Sequence, residues 1–513
     1  YYLATRHVFE RRNKHLMRGQ KLKRDVIINL AFGIVKTIAL MWVMRLAGEV
    51  LMPAALGLFL LVRRLAGTSA NLLHLGMPQT ILRYVAIHKM EEGVKRYYVS
   101  QSILVWIGLT VVCMPALYGL QDRIALWLFP EAIEGGRLVF WTGVLMLATI
   151  TSFIAYSSVI ARRWMLRANT IELMNASGFL ILILLWNTTD VSPLSLIRFQ
   201  AISMLLFSLG VLLMFVISPT RNHSIRREEQ RAIHRNFINY GLPRAPLTFL
   251  DMTVLLIGPW LLRGNLEETG YLIIALTLLR ALQSVLMPIT QVASVVTAGL
   301  LKDGSDDAIG EGIRLLFGTI LYSTVIAIAV FFPWSHAALT LWFDDQVLVD
   351  GALKYFSVLI WGMLPFTIFH GLKGVIETRW TQPLNLYTLT AGIVANLVVF
   401  YCATGSHGTE EAIQLSILAM FWIVGSLSVI WVGGYLGPLN YWGFPQLAII
   451  TAILAMGNSW AATESSFLIV GIPVALISLV LVLLRTILSS AFIRDLSQFL
   501  GLSSKRSLVA DDC

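Results

Sequence analysis

Apolar runs of about twenty residues recur from one end of this 513-residue chain to the other. Each is long enough to cross a hydrocarbon core roughly 30 Å thick, where only helices and closed barrels satisfy their own backbone polar groups. Membrane barrels show short segments of alternating hydrophobicity, which are absent here. Charged residues make up 13% of the chain and hydrophobic ones 57%, against about 25% charged in soluble domains. The fold class is therefore an all-α polytopic membrane protein. Fourteen spans are read: 25–47, 54–75, 98–119, 137–160, 169–187, 193–217, 237–262, 270–291, 313–333, 351–372, 384–403, 412–434, 446–462 and 466–489. The thirteenth is the least regular, with Asn458, Ser459 and a terminal Glu464.

Lysines and arginines are distributed unevenly between the two sets of connecting segments. The set that includes 1–24, 77–97, 161–168, 219–235 and the tail from 490 carries 26, and the other set only Arg123, Arg137 and Arg263. The positive-inside rule places the first set and both termini in the cytoplasm. The opposite loops are short and acidic, with Glu131, Glu134, Asp344, Asp345, Glu410 and Glu411. The net charge of +10 thus belongs to topology and to contact with anionic lipid, not to nucleic acid. The chain starts at Tyr1, which implies that some N-terminus precedes it. Arg6 to Arg24 is too basic, and the apolar run after it too long, for a cleavable signal. Cys113, Cys402 and Cys513 are isolated and form no metal or redox spacing.

The chain divides into segments on these grounds: a basic arm at 1–24, six helices over 25–218, a charged linker at 219–236, six more helices over 237–436, two additional helices over 437–489 and a tail over 490–513. The two sets of six carry repeat signals. Arg163-Trp164-x4-Asn169 matches Arg379-Trp380-x4-Asn385 at an offset of 216, and Arg64 matches Arg280 at the same offset. Gly33-Ile-Val-Lys36 has a counterpart in Gly241-Leu-Pro-Arg244 at an offset of 208, which requires a gap. Internal repeats of spans are a transporter device, with the substrate site where the repeats meet.

Charges deep in the spans mark the candidate site, because an ionisable group at bilayer depth is costly and functional by default. The deep set is Lys36, Arg63, Arg64, Arg244 and Arg280, with Asp251 as their one carboxylate. Structural ion pairing would bring near balance, so the surplus of cations implies an anionic substrate between the halves. Arginine suits phosphate, since its planar fork donates in pairs. Adjacent helical residues point about 100° apart. Arg64, with its counterpart Arg280, is assigned to the lumen, whereas Arg63 either joins it or hydrogen-bonds to carbonyls of a neighbouring helix. Asp251 serves as counter-ion or as a coupling carboxylate. His370 and Lys373 are read as a helix end meeting headgroups. Pro243, Pro246, Pro288 and Pro365 interrupt their helices. No Walker A, metal cluster or Gly-x-Ser-x-Gly pattern is found. The chain is therefore read as no enzyme, without a cofactor, and with H+ or Na+ coupling left open.

Leu56-Gly-Leu-Phe59, Arg63-Arg64-Leu65 and Leu75-Gly-Met-Pro-Gln-Thr-Ile-Leu-Arg-Tyr84 resemble the second span and first cytoplasmic loop of Wzx-type polysaccharide flippases. These flippases belong to the multidrug/oligosaccharidyl-lipid/polysaccharide exporter superfamily. Thr269-Gly-Tyr271 and Gly371-Leu-Lys-Gly-Val-Ile-Glu-Thr-Arg-Trp-Thr-Gln-Pro383 resemble the second-half counterparts, and the resemblance spans roughly 25–435. It implies two six-helix lobes in a V around a central cavity, in a bacterial inner membrane. It implies alternating access that carries undecaprenyl-pyrophosphate-linked oligosaccharide from the cytoplasmic to the periplasmic leaflet, for O-antigen or a related surface polysaccharide. Other polysaccharide-assembly proteins of the membrane are implied partners. The last two helices are extra to the lobes.

Three other readings are weighed. A cation-coupled multidrug exporter of the same superfamily would need deep carboxylates. A polysaccharide polymerase of the membrane would need a sizeable external loop. A scaffold would leave the charge imbalance unexplained.

Overall fold

The computed structural model describes residues 28, 31–87, 92–130, 132, 134–162, 164–186, 191–217, 227–283, 306–380, 382–406 and 408–436. The basic arm, the two additional helices and the tail lie outside them. The described residues form helices and no strands. In chain order these are α1 (Ala31–Val50), α2 (Pro53–Leu73), α3 (Met77–Ile87), α4 (Glu92–Leu128), α5 (Gly135–Ile160), α6 (Met165–Trp186) and α7 (Pro193–Ile217). After the linker come α8 (Arg227–Asn236), α9 (Ala245–Leu261), α10 (266–283), α11 (Asp306–Trp342), α12 (Gln346–Leu359), α13 (Met363–Arg379), α14 (Leu384–Thr404) and α15 (Thr409–Leu436). Nine helical stretches among the described residues are long and apolar enough to cross a membrane, with α12 and α13 counting as one stretch.

Local chemistry sets several boundaries. Pro53 stands in the first turn of α2, where its missing N–H costs nothing. Leu75 and Gly76 turn the chain through positive φ of 50° and 72°. The segment after this turn is a helix, α3, and not the surface loop that Gly-Met-Pro predicts. Ahead of α9 the chain runs as a π-helical segment, Phe237–Gly241, and then a 3-10 turn, Leu242–Arg244. Pro243 and Pro246 lack the N–H that a continuous α ladder would need there. Pro365 acts similarly: α12 and α13 are separated by the 3-10 turn Ile360–Gly362.

Within the first half, α5 packs against α2, α4 and α7; within the second, α15 packs against α13 and α14. Buried amides act as polar glue in these bundles. Asn175 donates to Ser152 at 2.7 Å and to Ser208 at 3.0 Å, and Asn396 donates to Ser416 at 3.1 Å. Such bonds join helices where no hydrophobic drive between helices exists. Asn169 and Asn385, the repeat positions, are both buried at the start of their helices.

The halves meet along α2, which packs extensively on α9. Two glycine contacts bracket it. Near its acidic-face end, a Cβ on Gly57 would lie 1.8 Å from the Leu266 carbonyl and 3.0 Å from the Gly270 nitrogen. At the basic-face end, a Cβ on Gly76 would lie 2.0 Å from the Gly241 carbonyl. Only glycine lets these backbones come so close. On the acidic face, Arg45 also pairs with Asp344 at 2.8 Å, and Trp342 donates to the Met41 carbonyl at 2.6 Å.

Candidate functional site

Arg64 lies on α2, in the first half, but its donors end in the second half. Nη1 donates to the Leu255 carbonyl of α9 at 2.7 Å. Nη2 donates to the Ile273 carbonyl at 3.2 Å and to the Thr277 hydroxyl of α10 at 3.1 Å. Thr277 passes its own proton to the Ile273 carbonyl at 2.7 Å, which leaves its oxygen free to accept from Arg64. Hydrogen bonds to a charged group are each worth about 1.5–3 kcal/mol. They offset much of the cost of the guanidinium at this depth.

Arg63 points away from this junction. It donates to the Ala176 carbonyl at 2.8 Å and lies 5.4 Å from the Phe59 ring centre. Ala176 sits in the π-helical stretch Met174–Gly178 of α6, where the regular ladder is interrupted. The carbonyl-bonded alternative for Arg63 is the one the structure adopts.

Arg280, matched to Arg64 at the 216-residue offset, lies in α10 and is exposed. Arg64 of α2, Asp251 of α9, and His370 and Lys373 of α13 lie within electrostatic range of it. Among the described residues it has no hydrogen-bond acceptor. Asp251 takes a 2.9 Å bond from Lys373 on Oδ2, and both side chains are largely buried. Its Oδ1 is buried without a partner. Lys373 is thus an interior residue and not a headgroup contact. His370 is wedged edge-on against Phe366 and Phe369, at centroid distances of 4.6 and 5.0 Å.

Lys36 and Arg244 lie elsewhere. Lys36 pairs with Glu172 of α6 at 2.6 Å. Arg244 packs over the Tyr240 ring at 3.7 Å and donates to the Tyr240 carbonyl at 3.1 Å. Glu172 changes the charge count made from the sequence. It lies inside the expected fifth span, so a complete list of ionisable residues by span would have found it. With Glu172 and Lys373 included, two ion pairs neutralise Lys36 and Lys373. Arg63, Arg64, Arg244 and Arg280 remain without a carboxylate among the described residues. The excess of cations is unchanged at four, six cations against two carboxylates, and it consists of arginines. No group of His, Cys, Asp and Glu suited to a metal occurs among the described residues.

The fold has known counterparts, although no family model matches the chain and no curated protein matches it. The lipid II flippase MurJ, in an inward closed conformation, superposes with a TM-score of 0.62 over 91% of this chain and 99% of its own, at 14% identity. A multidrug resistance MATE transporter of the MOP superfamily, inward-facing, gives 0.58 over 82% and 96%, at 15% identity. A MOP superfamily transporter from Pyrococcus furiosus, described as having a binding pocket of reverse polarity, gives 0.56 over the same shares at 14% identity. The chain has the fold shared by MATE transporters and MurJ.

Proposed function

We propose that this protein is a flippase that carries undecaprenyl-pyrophosphate-linked oligosaccharide from the cytoplasmic to the periplasmic leaflet by alternating access, during surface polysaccharide synthesis. The observation that carries this reading is Arg280, which is exposed, lies within electrostatic range of Arg64 and Asp251, and has no hydrogen-bond acceptor of its own among the described residues. Its planar fork is free to take two oxygens of a pyrophosphate. Arg64 joins it once the halves part and its carbonyl acceptors are withdrawn. Thus the same guanidinium that holds α9 and α10 in one state binds cargo in another. Lys36 and Arg244 serve the cargo's approach, and the sugar passes through the space between the halves.

Asp251 balances Lys373 and leaves one oxygen to accept a proton or a cargo hydroxyl, which makes it the proposed coupling group for H+ or Na+. A drug exporter of the same fold would need a free deep carboxylate for a cationic drug. Asp251 is already engaged by a lysine, and that favours an anionic cargo. The proposed setting is a bacterial inner membrane with both termini cytoplasmic.

The test is reconstitution in proteoliposomes with a fluorescent undecaprenyl-pyrophosphate oligosaccharide. Transfer between leaflets by the wild-type chain, lost in Arg280→Glu, is the expected result. Equal transfer by Arg280→Glu, or transfer of a cationic dye in its place, overturns the assignment.

A further inference from the structure

Three groups outside the Arg64–Arg280 cluster converge where α3 meets the segment that leads into α9. Arg83 of α3 lies over the Tyr240 ring at 4.5 Å, and Arg244 lies over the same ring at 3.7 Å. Two guanidiniums, one from each half, thus share one aromatic ring. Like charges this close repel, yet neither has a carboxylate partner among the described residues. Arg83 donates no hydrogen bond there, and Arg244 uses one of its five N–H groups, on the Tyr240 carbonyl.

The ring is held firmly in place. Tyr84 meets Tyr240 edge-on at 5.7 Å and stacks on Tyr98 at 5.7 Å, and Tyr98 accepts from Asn236 at 2.8 Å. Exposed apolar side chains neighbour these residues in sequence: Leu82 next to Arg83, and Ile238 and Leu242 two positions either side of Tyr240. The place has a cationic fork pair and an apolar flank, on the face that charge asymmetry assigns to the cytoplasm. A lipid with a phosphate or pyrophosphate headgroup matches both parts: oxygens on the guanidiniums and chain along the flank.

We propose that Arg83, Tyr240 and Arg244 form a docking site for the phosphate-bearing headgroup of the lipid-linked cargo, at the cytoplasmic leaflet and apart from Arg280. The proposal rests on the flippase reading. The site draws its ligands from both halves, so a bound headgroup bridges them and separation of the halves breaks it. Docking and release are thereby tied to the opening of the halves.

The experiment is native mass spectrometry of the full chain in detergent, titrated with undecaprenyl pyrophosphate and, in parallel, with phosphatidylglycerol. Arg83→Gln/Arg244→Gln should weaken undecaprenyl pyrophosphate binding about tenfold, roughly the loss of one charge-assisted contact. Tyr240→Leu should weaken it, and Tyr240→Phe, which keeps the ring, should not. Circular dichroism and thermal unfolding confirm that each variant is folded. Undiminished binding in the double variant, with binding lost in Arg280→Glu, overturns the docking site and leaves the flippase reading intact. Equal displacement by phosphatidylglycerol overturns it in favour of a bulk-lipid site. Failure of the wild-type chain to bind undecaprenyl pyrophosphate overturns both.

Discussion

The Arg64 guanidinium, carried by α2, donates 2.7 Å to the carbonyl of Leu255 in α9, on the other side of the junction between the halves. Two further acceptors in α10, the Ile273 carbonyl and the Thr277 hydroxyl, take its second terminal nitrogen. The planar fork spreads its donors over three acceptors on two helices, a span that the compact ammonium of lysine does not match. Arg64→Lys, although it keeps the charge, should therefore lose most of this cross-link. Loss of one to two charge-assisted bonds, about 1.5–3 kcal/mol each, should lower the unfolding midpoint of the detergent-purified protein. Thr277→Val should show a smaller effect in the same direction. An Arg64→Lys protein as stable as wild type would show that the charge alone matters.

Asp251 and Lys373 form a largely buried pair between α9 and α13. Removal of one partner strands the other, and for buried pairs this costs about 3–5 kcal/mol, whereas replacement of both is often close to neutral. Asp251→Asn and Lys373→Met should each destabilise the protein strongly, and the double variant should recover most of the loss. A thermal-unfolding double-mutant cycle measures this. Additive single effects would mean that the pair is not coupled. Transport should stay impaired in the double variant if Asp251 is the coupling group.

Much of the helical frame can be read from the apolar runs alone, because a twenty-residue period of hydrophobicity leaves few other outcomes in a bilayer. The run read as 193–217 coincides with α7, and 384–403 differs from α14 by one residue. The partners of the charges are another matter. Periodicity gives the depth of a residue but not its neighbours, so Arg64 could be placed in mid-span but not on the carbonyls of Leu255 and Ile273. Lys373 falls one residue past the apolar run that ends at 372 and so looks like an end group. It becomes interior because α13 continues to Arg379 and because Asp251 lies opposite, 122 residues away in sequence. Helix α3 was hidden because Gly-Met-Pro is a turn signal and the segment after it is short and basic. The turn is real, and the helix begins directly beyond it. Glu172 was readable, since it lies within an apolar run. Arg64 and Arg280, matched at the 216-residue offset, lie within electrostatic range of each other.

The glycine contact on the acidic face gives a graded prediction. A Cβ at Gly57 would overlap the Leu266 carbonyl, at 1.8 Å, whereas one at Gly270 would come no closer than 3.0 Å to Gly57. A Cβ at Gly67, on the same helix as Gly57, meets nothing within 4 Å. Gly57→Ala should therefore be the most damaging, Gly270→Ala milder, and Gly67→Ala neutral or slightly stabilising. Overpacking typically costs about 1–3 kcal/mol, and rigid backbone on both sides places Gly57→Ala at or above the top of that range. Unfolding midpoints of the three variants in one detergent check the order. Equal behaviour of Gly57→Ala and Gly67→Ala would mean that the halves do not touch there.

Arg45 of α1 joins Glu49 at 2.9 Å within its own helix, the Leu341 carbonyl of α11 at 3.2 Å, and Asp344, just beyond α11, at 2.8 Å. With the Trp342–Met41 bond, these contacts close the first half against the second on the acidic face. The charges are partly exposed, so the pair adds little to overall stability. Its effect should instead be on which side of the protein is open. Ala47, two residues along, is fully buried, and a cysteine there reports closure. In a background with Cys113, Cys402 and Cys513 replaced by serine, Ala47→Cys should react slowly with a membrane-impermeant maleimide. Addition of Arg45→Glu, which sets three acidic groups against one another, should speed the reaction severalfold. Combination with Asp344→Arg should slow it again, because the exchanged charges restore the contact across the halves. If Arg45→Glu leaves the rate unchanged, the closure on this face rests on the Trp342 and Gly57 contacts and not on the ion pair.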